Sequence, residues 1–266
     1  MKTPLDAVIC NARPKFLHGI IKEVLGSTNL NFVLDAADLT SYDGSSQTWT
    51  DVVGGNNMFR GTTSGADASD PTFNGTAGQP TESTYFSVDG GDWFKETAAH
   101  TFDDNWHKNN GAFTVLAVVY MTNTATIRGI WSNGAIGVSP GVNLRVSATE
   151  TVTLRHSTAD ATVEALVSAA TVPTDAWSML AMTFDEATTA ASIIINATAE
   201  AFVPTASTAT AASGNIRIGA ESDTPDQPMA SGERIACVAG WSTKVSDANI
   251  ALIYNRLKSR RFTSLP

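Results

Sequence analysis

The sequence predicts an all-β fold, a two-sheet sandwich or jelly roll with an amphipathic helix before it and a short helix after it. Three observations carry this expectation. From Leu30 onward, about eleven short runs rich in β-branched and aromatic residues follow one another, separated by clusters of Gly, Asn, Asp, Ser and Thr. No helical segment interrupts them, which argues against a parallel α/β sheet. Only 16% of the 266 residues are charged, so backbone and small hydroxyls supply much of the surface polarity, as suits strands and turns. At this length one large β domain can hold a core without staples.

In chain order, residues 14–26 place Phe16, Leu17, Ile20, Ile21, Val24 and Leu25 at helical spacing, with Pro14 at a starting position and Gly26 at the stop. A helix of about three turns is marginal alone in water, so its apolar stripe needs a partner. That partner is the chain's own sandwich, a neighbouring copy or another protein. The β runs follow: Leu30–Leu34, Tyr85–Val88, Phe113–Met121, Ile127–Ser132, Val142–Val146, Val152–His156, Val163–Val167, Trp177–Phe184, Ser192–Asn196, Asn215–Gly219 and Arg234–Trp241. Phe113–Met121 is apolar on both faces, which predicts a central strand covered on both sides. Residues 43–83 and 89–112 are rich in Gly, Asn, Asp and Thr and are expected to form long loops of one rim, a length that usually signals function or disorder. The Ala/Thr stretch 205–213 reads as decoration of a turn. Ser246 caps a last helix with Ile250, Ile253, Tyr254 and Leu257 on one face. The expected organisation is an arm over 1–27 and a jelly roll over 28–266.

The formal net charge of −9 is unevenly placed. Residues 1–26 carry +2, residues 256–266 carry +4 through Arg256, Lys258, Arg260 and Arg261, and the body between them holds −15. A body that acidic repels phosphate backbones, so no nucleic-acid partner is expected. The four basic residues suit the last turn of a helix. No apolar run approaches the roughly 18 residues of a membrane span, and the first residues do not resemble a secretory signal. Cys10 and Cys237 are expected to be buried thiols. The sequons Asn74-Gly-Thr76 and Asn196-Ala-Thr198 read as coincidence without an export signal.

Several segments carry a family resemblance. Residues 34–51, opening Leu34-Asp-Ala-Ala-Asp38 and reaching Trp49 and Asp51, with Asn56-Asn57 after them, resemble the opening of concanavalin A-like, laminin G-like jelly-roll domains found in phage and bacterial proteins. Residues 85–94, with Asp89-Gly-Gly-Asp92 and Trp93, are similar to the second strand and Gly-rich turn of those domains. Thr171–Phe184 with Trp177 is similar to their strand around a buried Trp. Asn215–Gly219, Arg234–Trp241 and Ser246–Arg260 resemble the closing strands and final helix. The resemblance spans roughly residues 28–262. One departure is Gly232-Glu-Arg-Ile-Ala-Cys-Val238, which lacks the Asp usual before the last strand.

Fold does not give function here, because this jelly roll hosts lectins, glycosidases, adhesion modules and viral coat parts. Glycoside hydrolysis needs two carboxylates about 5–5.5 Å apart for retention, which on one strand requires alternating acids. Asp35 and Asp38 are three apart and Asp185 and Glu186 are adjacent, so these read as solvated turn residues. His18, His100, His107 and His156 form no recognisable triad with a nucleophile, and their spacing does not support zinc. No catalytic residue is assigned and no enzyme activity is expected. Oxygen ligands are abundant in Asp89, Asp92, Asp103 and Asp104, and the resemblance implies that related rim loops hold Ca²⁺, so these four are candidate calcium ligands; a Gly-flanked Asp is also a common turn former. No other cofactor is expected. Sugar recognition needs exposed rings beside amides, and Trp93, Trp106, Asn105 and Asn109 are the candidates. Trp49, Trp131, Trp177 and Trp241 read as core or strand residues.

A fold that normally works outside cells, a chain without a visible export signal and an amphipathic helix outside the sandwich are reconciled by a phage virion protein, assembled in the host cytoplasm and released by lysis. The expectation is a non-enzymatic structural protein, a capsid decoration or a tail or fibre component. In it, Phe16, Leu17, Ile20, Ile21, Val24 and Leu25 dock to other virion proteins or sister copies, and the jelly roll stabilises the particle or binds host-surface polysaccharide. A homo-oligomer is expected and no membrane contact. The rivals are a bacterial surface glycan-binding module and a polysaccharide-degrading enzyme. On this reading, removal of residues 1–26 leaves a folded domain that no longer enters particles.

Overall fold

In the computed structural model, the residues described are 15–134, 140–212, 214–221 and 226–266. Cys10, Pro14 and the basic residues Lys2 and Arg13 lie outside them. The elements are α1 (Leu17–Leu25), β1 (Leu30–Asp35), β2 (Thr48–Trp49), β3 (Met58–Arg60), β4 (Thr72–Asn74), β5 (Tyr85–Ser87), β6 (Phe94–Glu96), β7 (Ala112–Met121), β8 (Arg128–Ser132), β9 (Val142–Val146), β10 (Thr151–Ala159), β11 (Thr162–Thr171), β12 (Ala176–Asp185), β13 (Ala190–Ile195), β14 (Thr198–Phe202), β15 (Arg217–Ile218), β16 (Arg234–Trp241) and α2 (Asp247–Arg260). They form two antiparallel sheets packed as a sandwich. The front sheet runs β14-β13-β12-β7-β16-β5-β4, with β1 also on β16; the back sheet runs β11-β10-β9-β8-β15-β6-β3-β2. The runs read from sequence all become strands. Strands β2, β3, β4 and β6 lie within the segments expected to be rim loops, and β14 was also not foreseen.

Strand β7 sits between β12 and β16, and its residues Phe113–Val119 are buried on both faces, as its doubly apolar sequence requires. Its inward residues Phe113, Val115, Ala117 and Val119 join the core between the sheets, with Trp49, Phe86, Phe94, Trp131, Leu180 and Phe184. Its outward residues Leu116 and Val118 form a second apolar layer with Val33, Met179, Ala181, Ile194, Ala239 and Trp241. That outer face is too apolar to meet water, and the two helices cover it. Leu17, Ile20 and Ile21 of α1, Ile250, Ile253, Tyr254 and Leu257 of α2, then Phe262 and Leu265, complete the layer.

The expectation that the α1 stripe docks a partner is therefore corrected. Leu17, Ile20 and Ile21 are fully buried in their own chain, Val24 and Leu25 pack against the same cluster, and Phe16 is the half-buried N-cap residue. Phe16 supplies no capping side chain; instead the Leu17 N–H donates to Asp35 Oδ2 at 2.9 Å, so a carboxylate from β1 satisfies one of the open donors at the helix start. Gly26, at φ 72°, ends the helix. Ser246 caps α2 as expected, its Oγ accepting the Asn249 N–H.

Two charge readings are corrected as well. Asp35 is 1% exposed rather than solvated. It binds Arg261, whose Nη1 lies 2.7 Å from Asp35 Oδ1, and neither side chain is open to solvent. Arg256 and Arg260 likewise do more than complement the α2 dipole, since both pair with Glu23 of α1. Where the Asp before the last strand is missing, buried Glu233 makes the polar contacts, accepting the N–H groups of Thr122 and Ala230, with Arg128 Nη1 at 3.6 Å.

Candidate functional site

The second long segment does not present its tryptophans to solvent together. Trp106 is 2% exposed and stacks on Phe113 (5.1 Å between centroids, planes at 6°) and Trp131 (5.6 Å, 22°). Its place as a sugar platform is corrected: the ring closes an aromatic column that continues through Phe184 to His156, because a loop crossing the end of a sandwich needs a large apolar plug. Gly111 lets this loop fold tightly, since a Cβ there would lie 2.0 Å from the Asn105 carbonyl oxygen. Trp93 is half-buried, with the Arg217 guanidinium 5.8 Å from its ring centre. Asn105 and Asn109 are exposed and bond weakly to each other at 3.4 Å.

The four aspartates do not converge. Asp92 Oδ2 accepts the Asp89 N–H and Asp89 Oδ1 accepts the Gly91 N–H, the bonding of a turn. Burial and the neighbouring Asp89 charge push the Asp92 carboxyl up to about 7. Asp103 is also pushed up to about 7, chiefly by burial, and Asp104 is raised by burial. Among the described residues no three His, Cys, Asp or Glu side chains come together as a metal site.

What the fold does assemble is a cleft on the outer face of the front sheet, beyond the helical layer. Across four strands, β12, β7, β16 and β5, register places Trp177 opposite Tyr120, Tyr120 opposite Arg234 and Arg234 opposite Ser87. Opposed residues in antiparallel strands share a face, so this row projects outward together. Tyr85, two residues before Ser87, joins them, and Asn74 faces Tyr85 from β4. The cleft encloses about 520 Å³ and is lined by Asn74, Glu82, Tyr85, Tyr120, Trp177 and Arg234, with Ser264 at its edge.

Its geometry is held from below and from the side. Trp177 packs edge-on against Tyr85 (5.7 Å) and Tyr120 (5.8 Å), and Phe262 lies behind it at 5.3 Å. Arg234 lies over both tyrosines, its guanidinium carbon 4.8 Å from the Tyr85 centre and 4.3 Å from that of Tyr120. Among the described residues no carboxylate pairs with it and no acceptor takes its N–H groups. Glu82 is fixed at the edge by the Ser264 N–H and hydroxyl. The Asn74 amide donates to Thr72 O and Ser87 Oγ. Aromatic edges, an amide, one carboxylate and one unpaired guanidinium suit a polyhydroxylated ligand.

A family model described as the concanavalin A-like lectin/glucanases superfamily (Laminin_G_3) matches residues 89–251. The chain belongs to this superfamily. Tyr120, Trp177 and Arg234 fall inside the matched stretch, while Asn74, Glu82, Tyr85 and Ser264 lie outside it, so the cleft joins superfamily strands to flanking chain. The botulinum neurotoxin serotype D ligand-binding domain in complex with N-acetylneuraminic acid is similar, at TM-score 0.57 and 12% identity over 85% of this chain and 50% of that one. Trypanosoma rangeli sialidase in complex with sialic acid is similar at TM-score 0.56 and 13% identity, over 87% of this chain and 33% of that one. These likenesses show the concanavalin A-like fold, and the chain spans half or less of each structure. No curated protein matches the sequence.

No local sequence pattern marks this cleft, whose row joins four strands distant in the chain. Tyr85, Tyr120 and Arg234 are far apart in sequence and ordinary strand residues in isolation. The available signal was a polar or amphipathic residue at the outward position of strands otherwise apolar on both faces, as Tyr120 is in Phe113–Met121.

Proposed function

We propose that this protein is a non-catalytic glycan-binding jelly-roll module that acts as a structural component of a phage virion, a capsid decoration or a tail or fibre part, and engages host-surface polysaccharide. The observation that carries the binding reading is the row Trp177, Tyr120, Arg234, with Tyr85 beside it, in an open cleft of about 520 Å³. Two similar structures hold sialic acid or N-acetylneuraminic acid, which supports sugar as the ligand class. Glu82 is the one carboxylate among the residues lining the cleft, whereas the usual glycosidase arrangement uses two. The virion assignment is supported by the resemblance to phage jelly rolls and by the acidic, weakly charged composition. Docking to the particle or to sister copies uses surfaces other than the α1 stripe. Calcium has no part in this reading.

The test is an array of bacterial polysaccharides and oligosaccharides probed with the full chain, repeated with Tyr120→Ala. Saturable binding that weakens in the variant is expected. A flat array overturns the glycan reading, and reducing-end release from any polymer overturns the non-catalytic part. Portal, capsid or tail genes beside its own are expected under the virion reading; a neighbourhood of bacterial cell-wall genes favours the surface-module rival.

A further inference from the structure

Arg234 is unusual among the chain's cations in its surroundings. Six arginines pair with carboxylates: Arg128 with Glu150, Arg145 and Arg155 with Glu221, Arg256 and Arg260 with Glu23, and Arg261 with Asp35. Arg60, over the Tyr42 ring, has no carboxylate but donates to the Tyr42 hydroxyl and to the carbonyls of Pro71 and Ser46. In a body carrying −15, a guanidinium with neither a carboxylate nor a neutral acceptor among the described residues stands out. Arg234 is not a loose surface side chain either. It is half-buried, starts a central strand, and lies against two tyrosine rings. Cation–π contact holds the planar head in one orientation without consuming any of its N–H donors.

A fixed, planar, unpaired fork is matched by a planar anion with two equivalent oxygens, which is a carboxylate. The rest of the cleft fits the remainder of such a ligand. Glu82, which lines the same cleft and is held by Ser264, can accept sugar hydroxyls, and the tyrosine rings supply apolar contact for C–H faces. One cation and one anion in the same cleft discriminate by position, so a ligand must place its charge at Arg234 and its hydroxyls toward Glu82.

From these contacts we infer that the cleft selects acidic sugars, with Arg234 binding the carboxylate of a sialic or uronic acid residue. The inference rests on the glycan-binding reading above and narrows it to one substrate class.

Matched pairs of probes separate the two. Sialyllactose and lactose differ by the acidic sugar, and oligogalacturonate and its methyl ester differ only at the carboxyl, which the ester caps with a methyl group and makes neutral. Titration calorimetry or NMR with the full chain is expected to show at least one acidic probe binding about tenfold or more tightly than its neutral partner. Arg234→Gln removes that preference. Arg234→Lys keeps the charge and the ring contact but not the fork, and is expected to lose most of it as well. Melting temperatures of both variants stay near that of the parent, because Arg234 holds no buried partner; the lysine variant remains informative if the glutamine variant is unstable. Equal binding of acidic and neutral partners, or a preference untouched by Arg234→Gln, overturns the acidic-sugar assignment while leaving glycan binding in place. Sulfated lactose bound more tightly than sialyllactose overturns the carboxylate assignment. No binding to any acidic or neutral probe, or on the polysaccharide array, overturns both readings.

Discussion

Replacing Asp35 by Ala tests what fixes the helical layer to the sandwich. The Asp35 carboxylate receives Arg261 Nη1 at 2.7 and 2.9 Å, the Leu17 N–H at 2.9 Å and the Ala37 N–H at 3.0 Å. The variant leaves the Arg261 guanidinium buried against Thr84 O at 3.4 Å and the ring of Phe262 at 4.7 Å, and strips two backbone donors of their acceptor. Removing one partner of a buried pair costs about 3–5 kcal/mol, because the other charge stays desolvated. At about 2–3 °C per kcal/mol for a chain of this size, the melting temperature falls by roughly 6–15 °C. Urea unfolding followed by tryptophan fluorescence measures the change directly. A compensating variant, Asp35→Leu with Arg261→Met, is expected to recover much of the loss, because it removes both charges together. The exposed Glu23 pairing is the control: Glu23→Gln costs less than about 1 kcal/mol, and the difference shrinks in high salt. A loss below about 1 kcal/mol for Asp35→Ala, or a double variant as unstable as the sum of its singles, would refute the anchoring role.

Three other outcomes follow from the same structure. Deleting residues 1–26 removes Leu17, Ile20 and Ile21, each worth about 1.5–3 kcal/mol of burial, so an aggregation-prone or dye-binding species is expected in place of the folded domain that sequence alone suggested; a monomeric product melting near the parent temperature would contradict this. Trp106→Ala is expected to lower stability by about 3–5 kcal/mol through loss of the aromatic plug, which chemical denaturation measures; a silent substitution would return Trp106 to the surface. Asp103 has a folded pKa raised to about 7 against 3.8, so the folded state binds the extra proton, and its stabilising effect is present below about pH 4 and lost as pH rises through 7. Asp103→Asn should therefore gain stability relative to the parent between pH 5 and pH 8, by on the order of 1–3 kcal/mol; a pH-independent difference would count against the raised pKa.

The fold was legible because it is written in periodicity. Strands such as β7 and β16 declare themselves through continuous apolar runs, and β9 and β16 match their sequence-read ranges. Strands of two or three residues, such as β2 and β4, have too few positions for alternation to register, and they depend on pairing with β3 and β5. The α1 stripe was visible, but its partner was not, since amphipathicity says that a face is buried and not by what. Trp106 was misplaced for a related reason. Polar neighbours such as Asn105 and Lys108 describe the loop's outside, while the ring points inward. The cleft depends on register between strands more than 50 residues apart in sequence, which no local pattern encodes.

Strand β16 pairs with β7 along its length and also with β1 and β5, so three strands from the first half of the chain share a neighbour that comes last in the order of strands. During synthesis, local hairpins such as β10–β11 and β12–β13 can close early, yet β1 and β5 remain without their place in the front sheet until residues 234–241 have emerged. The pairing of β1 with β16 spans about two hundred residues, a separation that makes loop closure costly and folding slow. For that interval the apolar faces of β1 and β7 are open to other chains, so aggregation competes with folding most strongly before the last strand is in place. Slower translation and lower temperature should therefore raise the folded yield, and truncations ending before Arg234 should accumulate as aggregate.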